Sequence, residues 1–168
     1  MKKVALLLLF TLSLHASTGQ RTLTHTTLDS LEHSGMLTLN NVDIPGPLTG
    51  NGSLSATDCT FGSIKWTGNA RLTSCLTMGN ATFTGSLFAT RCTFQRSVTV
   101  TSNTIEIDGG VIKEDLIIQP TPRTDEEQTV ILSGAALVKG DIRFLSENGV
   151  LKKSPRAEVQ GQVTGLKQ

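Results

Sequence analysis

The stretch SATDCTFGSIKWTGNARLTSCLTMGNATFTGSLFATRCTFQRSVTVT, residues Ser55 to Thr101, decides the fold because it repeats itself at two nested periods. At an offset of 33 residues, Ala56, Thr57, Cys59, Thr60 and Phe61 fall on Ala89, Thr90, Cys92, Thr93 and Phe94, all five identical. Upstream, the same offset sets Thr24, Thr27, Ser30 and Gly35 on Thr57, Thr60, Ser63 and Gly68. Within it runs a period of about 17: Ile64-Lys65-Trp66-Thr67 recurs as Ala81-Thr82-Phe83-Thr84 and as Val98-Thr99-Val100-Thr101. An internal repeat takes precedence over any local reading of secondary structure.

Across these copies the first and third positions are apolar and the second and fourth polar, the period-two signature of a strand with one buried face. Each repeat then reads as one turn of a coil whose strands stack in parallel about 4.8 Å apart. Ile64, Ala81 and Val98 form one interior column, Trp66, Phe83 and Val100 another, and Thr67, Thr84 and Thr101 a column outside. A second interior set continues downstream as small, any, large apolar: Cys92-x-Phe94, Gly110-x-Ile112, Ala136-x-Val138 and Ala157-x-Val159. Each leads four residues on to a further strand start, at Val98, Leu116, Ile142 and Val163. With Cys59, Phe61 and Cys75 these residues make up the expected core columns. The polar, proline-bearing segment 119–128 reads as a loop bulging from one turn, since the repeat resumes after it. The expected architecture is all-β: a single-stranded right-handed parallel β-helix of about eight short turns over residues 20–168.

Ahead of it, Lys2 and Lys3 precede the apolar run Val4 to Leu14, with small residues at Ala16, Ser17 and Gly19. This is the pattern of a secretory signal peptide, assigned to residues 1–19, with cleavage after Ala16 or after Gly19. Its eleven residues, with Thr11 and Ser13 among them, are too few for a helix spanning a hydrocarbon core about 30 Å thick. The expected location is outside the cytoplasm: periplasm, outer surface or medium of a Gram-negative bacterium. No later segment is apolar enough to span a membrane.

Charge is nearly balanced, with fifteen Lys plus Arg against fourteen Asp plus Glu, and the basic residues are scattered. That argues against nucleic acid, whose binding needs concentrated basic charge. Cys59, Cys75 and Cys92 recur once per turn, a spacing wrong for a zinc ribbon or a redox pair. They read as buried thiols or as one disulfide between adjacent turns, although parallel side chains suit the disulfide dihedral poorly. His33 takes the place that Trp66 holds one repeat later, and His25 aligns with Asp58 at an outward position. No cofactor, metal site or catalytic set is expected. The carboxylates that a β-helix hydrolase would use are best sought at Asp115 and Asp141, which occupy equivalent places in Lys113-Glu114-Asp115-Leu116 and Lys139-Gly140-Asp141-Ile142. Each has a lysine close by, the composition of a solvated corner. The threonine columns are similar to the flat faces of ice-binding solenoids, but Lys65 interrupts them and threonine suits an exposed strand on its own account.

The segment VILSGAALVKGDIRFLSENGVLKKSPRAEVQGQVTG, from Val130, resembles the bactofilins, the polymer-forming cytoskeletal β-helix proteins of bacteria. The resemblance covers about a quarter of the chain and implies a right-handed solenoid that associates through its end turns. Bactofilins work in the cytoplasm or on the inner face of the membrane, so the signal-like N-terminus is a departure from them. The expected function is an exported structural or interaction module, homo-oligomeric through its end turns. The alternative is an adhesin-like protein that binds an envelope component or glycan.

Overall fold

The computed structural model describes residues 17–122 and 126–168. The signal-peptide run up to Ala16 lies outside the described residues, as does the middle of the 119–128 loop. Among the described residues there is no helix, and fifteen strands join in one sheet. They are β1 (Ser17–Thr27), β2 (Leu31–Thr57), β3 (Thr60–Thr73), β4 (Leu76–Thr77), β5 (Ala81–Thr84), β6 (Leu87–Phe94), β7 (Val98–Thr101), β8 (Thr104–Ile112), β9 (Leu116–Gln119), β10 (Gln128–Ser133), β11 (Leu137–Val138), β12 (Ile142–Phe144), β13 (Gly149–Lys153), β14 (Glu158–Val159) and β15 (Val163–Thr164). Every pairing between them is parallel, and each joins one turn to the next. The chain is a β-solenoid.

The register sets the columns. Leu48, Ile64, Ala81, Val98, Leu116, Ile142 and Val163 are successive partners along one edge of the interior. A second column runs Cys92, Gly110 and then Ala136 beside the paired Ile112 and Val138, with Cys59 and Cys75 above it. Phe61, Ile64, Trp66, Ala81, Phe83, Phe94, Val98, Val100, Ile112, Leu116, Val138 and Ile142 are buried, as are all three cysteines. Val159 and Val163 are only half-buried, because no further turn stacks beneath the last one. Burying large side chains such as these stabilises by about 1.5–3 kcal/mol each.

Following the Trp66 column from end to end corrects the turn count from eight to about nine. Ser17 pairs with His33, Gly50 with Trp66, Trp66 with Phe83, Phe83 with Val100 and Val100 with Ile118; Ile118 then pairs with Phe144, and the pairing of Arg143 with Thr164 sets Gly165 at the ninth level. The extra turn is the start of β1, which the sequence reading divided between signal and solenoid. Nine levels about 4.8 Å apart make a rod about 40 Å long.

Each turn has three short straight sides and three corners. At one corner glycines stack: a Cβ on Gly52 would lie 2.2 Å from the Gly35 carbonyl oxygen, and its φ of 109° is in the left-handed region. Any other residue there would force neighbouring turns apart. At the next corner His25, Asn41, Asp58, Ser74 and Arg91 all hold φ between 50° and 54°. Single left-handed residues are tolerated where the surrounding ladder fixes them. The outward place shared by His25 and Asp58 is therefore a backbone corner.

Gln128 differs from its sequence reading. Assigned to the loop, it instead opens β10 and is 1% exposed. Its Nε2 donates to the carbonyls of Ser102 (2.9 Å) and Gln119 (2.8 Å), and its Oε1 accepts from Ser146 Oγ at 2.6 Å. The insertion between β9 and β10 leaves carbonyls facing inward without a strand partner, and an amide satisfies them where an apolar side chain would not.

Candidate functional site

Asp115 and Asp141 do stack on adjacent turns, since Leu116 pairs with Ile142. Asp115 Oδ1 accepts from the backbone N–H of Asp141 at 2.9 Å, and Asp141 Oδ1 accepts from that of Gln162 at 2.9 Å. Their other oxygens meet Arg143: Asp115 Oδ2 forms an ion pair with Nη2, and Asp141 Oδ2 lies 3.6 Å from Nε. The two carboxylates thus close a corner whose backbone N–H groups would otherwise lack partners. The cation serving them is Arg143 on β12, which the sequence reading did not single out. Neither Lys113 nor Lys139 supplies it. On the same turn as Asp115, Glu114 does similar work toward the turn before, accepting from Arg96 (2.9 Å) and from the N–H and hydroxyl of Ser97. The hydrogen bond from Arg96, then those from Ser97, hold its carboxyl below the usual range.

The three cysteines are free thiols stacked on successive turns. Each S–H donates to the carbonyl two residues earlier: Cys59 to Thr57 (3.1 Å), Cys75 to Thr73 (3.3 Å) and Cys92 to Thr90 (3.4 Å). Contact with Cys75 and burial push the Cys59 thiol well up. For Cys75, contact with Cys59 pulls down, but contact with Cys92 and burial outweigh it and push the thiol up to about 12. Cys92 is lowered by its contact with Cys75, against burial. The ladder is a core element whose thiol form dominates at its first two members, a poor setting for a nucleophile. No group of three metal-ligating side chains occurs among the described residues.

His33 is buried below the first turn. Its Nε2 lies 3.0 Å from the Gly19 carbonyl and 3.2 Å from that of Met36 and so donates; Nδ1 then accepts from Ser17 Oγ at 2.8 Å. This polar plug ties β1 to β2; in the equivalent space Trp66 adds bulk and keeps one such bond, its Nε1 donating to the Gly52 carbonyl at 3.2 Å.

The two ends of the rod contrast. Among the described residues β1 pairs with β2 alone, so the other edge of its eleven residues presents unpaired N–H and C=O groups. Arg21 and His25 are the ionisable residues on it, among Thr18, Thr22, Thr24, Thr26 and Thr27. At the far end β13, β14 and β15 are five, two and two residues long. Lys152, Lys153, Pro155 and Arg156 stand there, and the chain end folds back, with the Lys167 N–H donating to the Gly149 carbonyl at 2.9 Å. Charges, proline and short strands are how natural sheets block an edge, and β1 shows little of this.

Comparison of the chain with protein families, with curated proteins and with solved structures finds no match to any of them.

Proposed function

We propose that the protein is an exported structural module that associates with its own kind through the open edge of β1, a bactofilin-like solenoid adapted to life outside the cytoplasm. The observation that carries this reading is the long, weakly charged edge of β1 beside the short strands of the opposite end, of which β13 carries Lys152 and Lys153. A two-fold axis would set two β1 strands antiparallel, edge to edge, extending both sheets without a break. Threonine-rich strands suit such pairing.

The same strand bears on the cleavage point. Cutting after Ala16 leaves β1 whole, whereas cutting after Gly19 removes Ser17, whose hydroxyl is bonded to His33. Sequencing the N-terminus of the exported protein is expected to begin at Ser17.

Light scattering and small-angle X-ray scattering on that mature chain test the assembly. Mass is expected to double with rising concentration while the longest dimension grows to about 80 Å, twice the rod length. A constant monomer mass up to millimolar concentration removes the reading.

A further inference from the structure

Midway along the rod, clear of both ends, one flank departs from the threonine and serine pattern. Ser55, Arg71, Phe88 and Glu106 stand in register on its outer side. Arg71 Cζ lies 5.1 Å from the centroid of the Phe88 ring. A guanidinium laid over a ring is held in place while its N–H edge stays free for a planar anion. Arg96 and Arg143 give that edge to carboxylates of their own chain, but no ion pair joins Arg71 to another described residue. Beside it is a hollow of about 420 Å³ whose polar lining is Ser53, Ser55, Asn69 and Arg71, with Phe88 as its apolar wall and no acidic group. Across the ring a smaller hollow of about 190 Å³ is lined by Arg71 again, together with Glu106 and Asp108. Arg71 therefore borders two hollows, and only the larger is free of carboxylates.

We propose that the larger hollow binds a carboxylate-bearing sugar unit of an acidic polysaccharide. The carboxylate takes two parallel hydrogen bonds from Arg71, the geometry guanidinium offers best. Sugar hydroxyls meet Ser53, Ser55 and Asn69, and ring C–H groups rest on Phe88. Glu106 and Asp108 repel further carboxylates, so the polysaccharide runs from Phe88 toward the turns before it. A single cation among neutral hydroxyl and amide groups suits a uronate better than an inorganic polyanion. A peptide strand has no purchase here, since β3 and β6 are both paired on either side and offer no edge. The site stands apart from the assembly reading, because the flank is equally open in one rod or in two joined at β1.

Nuclear magnetic resonance titration tests it, using the mature chain with trigalacturonate, maltotriose and inorganic phosphate as probes. Trigalacturonate is expected to give saturable shifts centred on the Arg71 side chain, Asn69 and Phe88. Arg71→Gln is expected to weaken it by about tenfold or more and Arg71→Lys by several-fold, because lysine cannot bond bidentately. Glu106→Gln is expected to strengthen it about twofold by removing a like charge near the ligand. Equal affinity for maltotriose or phosphate, shifts spread evenly over the surface, or a folded Arg71→Gln protein that binds as well as wild type each overturns the proposal.

Discussion

The first half of the rod and the second are closed by different means. From Ser17 to Val100 the Trp66 column advances by sixteen or seventeen residues per turn; after it the steps lengthen, Val100 to Ile118, Ile118 to Phe144, as β9 and β12 take over. Equal turns let backbone pair with backbone all round, and stacked glycines or left-handed corners suffice. Unequal turns leave N–H and C=O groups without partners, and side chains close them: Gln128, Asp115, Asp141 and Ser154, whose Oγ donates to the Gly134 carbonyl at 2.8 Å. The comparison teaches that the regularity which makes the first half simple runs out to a long β1 paired, among the described residues, on one side alone, while the irregular half ends in strands of five, two and two residues.

The largest effect that would sharpen this contrast is expected at Trp66. Replacing it with alanine empties the broadest part of the regular core and is expected to cost about 3–5 kcal/mol in chemical denaturation. Gln128→Leu keeps roughly the volume but strands the carbonyls of Ser102 and Gln119, with a loss of about 2–3 kcal/mol. Were that variant as stable as wild type, the second half would be held by apolar contact after all and the contrast would fail. Asp115→Ala orphans the Asp141 N–H and is expected to cost about 1 kcal/mol, since the corner is reached by water.

The smallest effect concerns pH. The Glu114 carboxyl is lowered in the folded state by Arg96 and Ser97, so its contribution is present above the usual carboxylate value and is lost as pH falls through the lowered one. Acid denaturation of Glu114→Gln is expected to show a shallower loss of stability over that interval than wild type.

What the sequence made legible follows the same division. The columns through Ile64, Trp66, Phe83 and Val98 could be read directly, because in equal turns alternation and register coincide. Gln128 was hidden because a polar residue beside a proline-bearing segment looks like loop, and only the unpaired carbonyls around it explain its burial. Arg143 was hidden because its partner Asp115 is 28 residues away, across the longest turn. Arg71 and Phe88 could be read as outward-facing, but their contact depends on which outward side chains meet across turns, and alternation does not determine that. His33 was visible as the counterpart of Trp66, but its hydrogen bonds to the first turn were not, because that turn had been assigned in part to the leader.

The central claim is that the β1 edge joins copies of the chain and the opposite end does not. Sedimentation of the mature protein beside two variants, Thr22→Lys/Thr24→Lys on the β1 edge and Val159→Lys on the far end, tests it most directly, with circular dichroism to show that each is folded. The account predicts concentration-dependent dimers for wild type and for Val159→Lys, and monomers for the β1 variant, because lysines on an edge strand oppose its pairing. Dimers that survive the β1 lysines and vanish with Val159→Lys, or no dimers in any of the three, would contradict it.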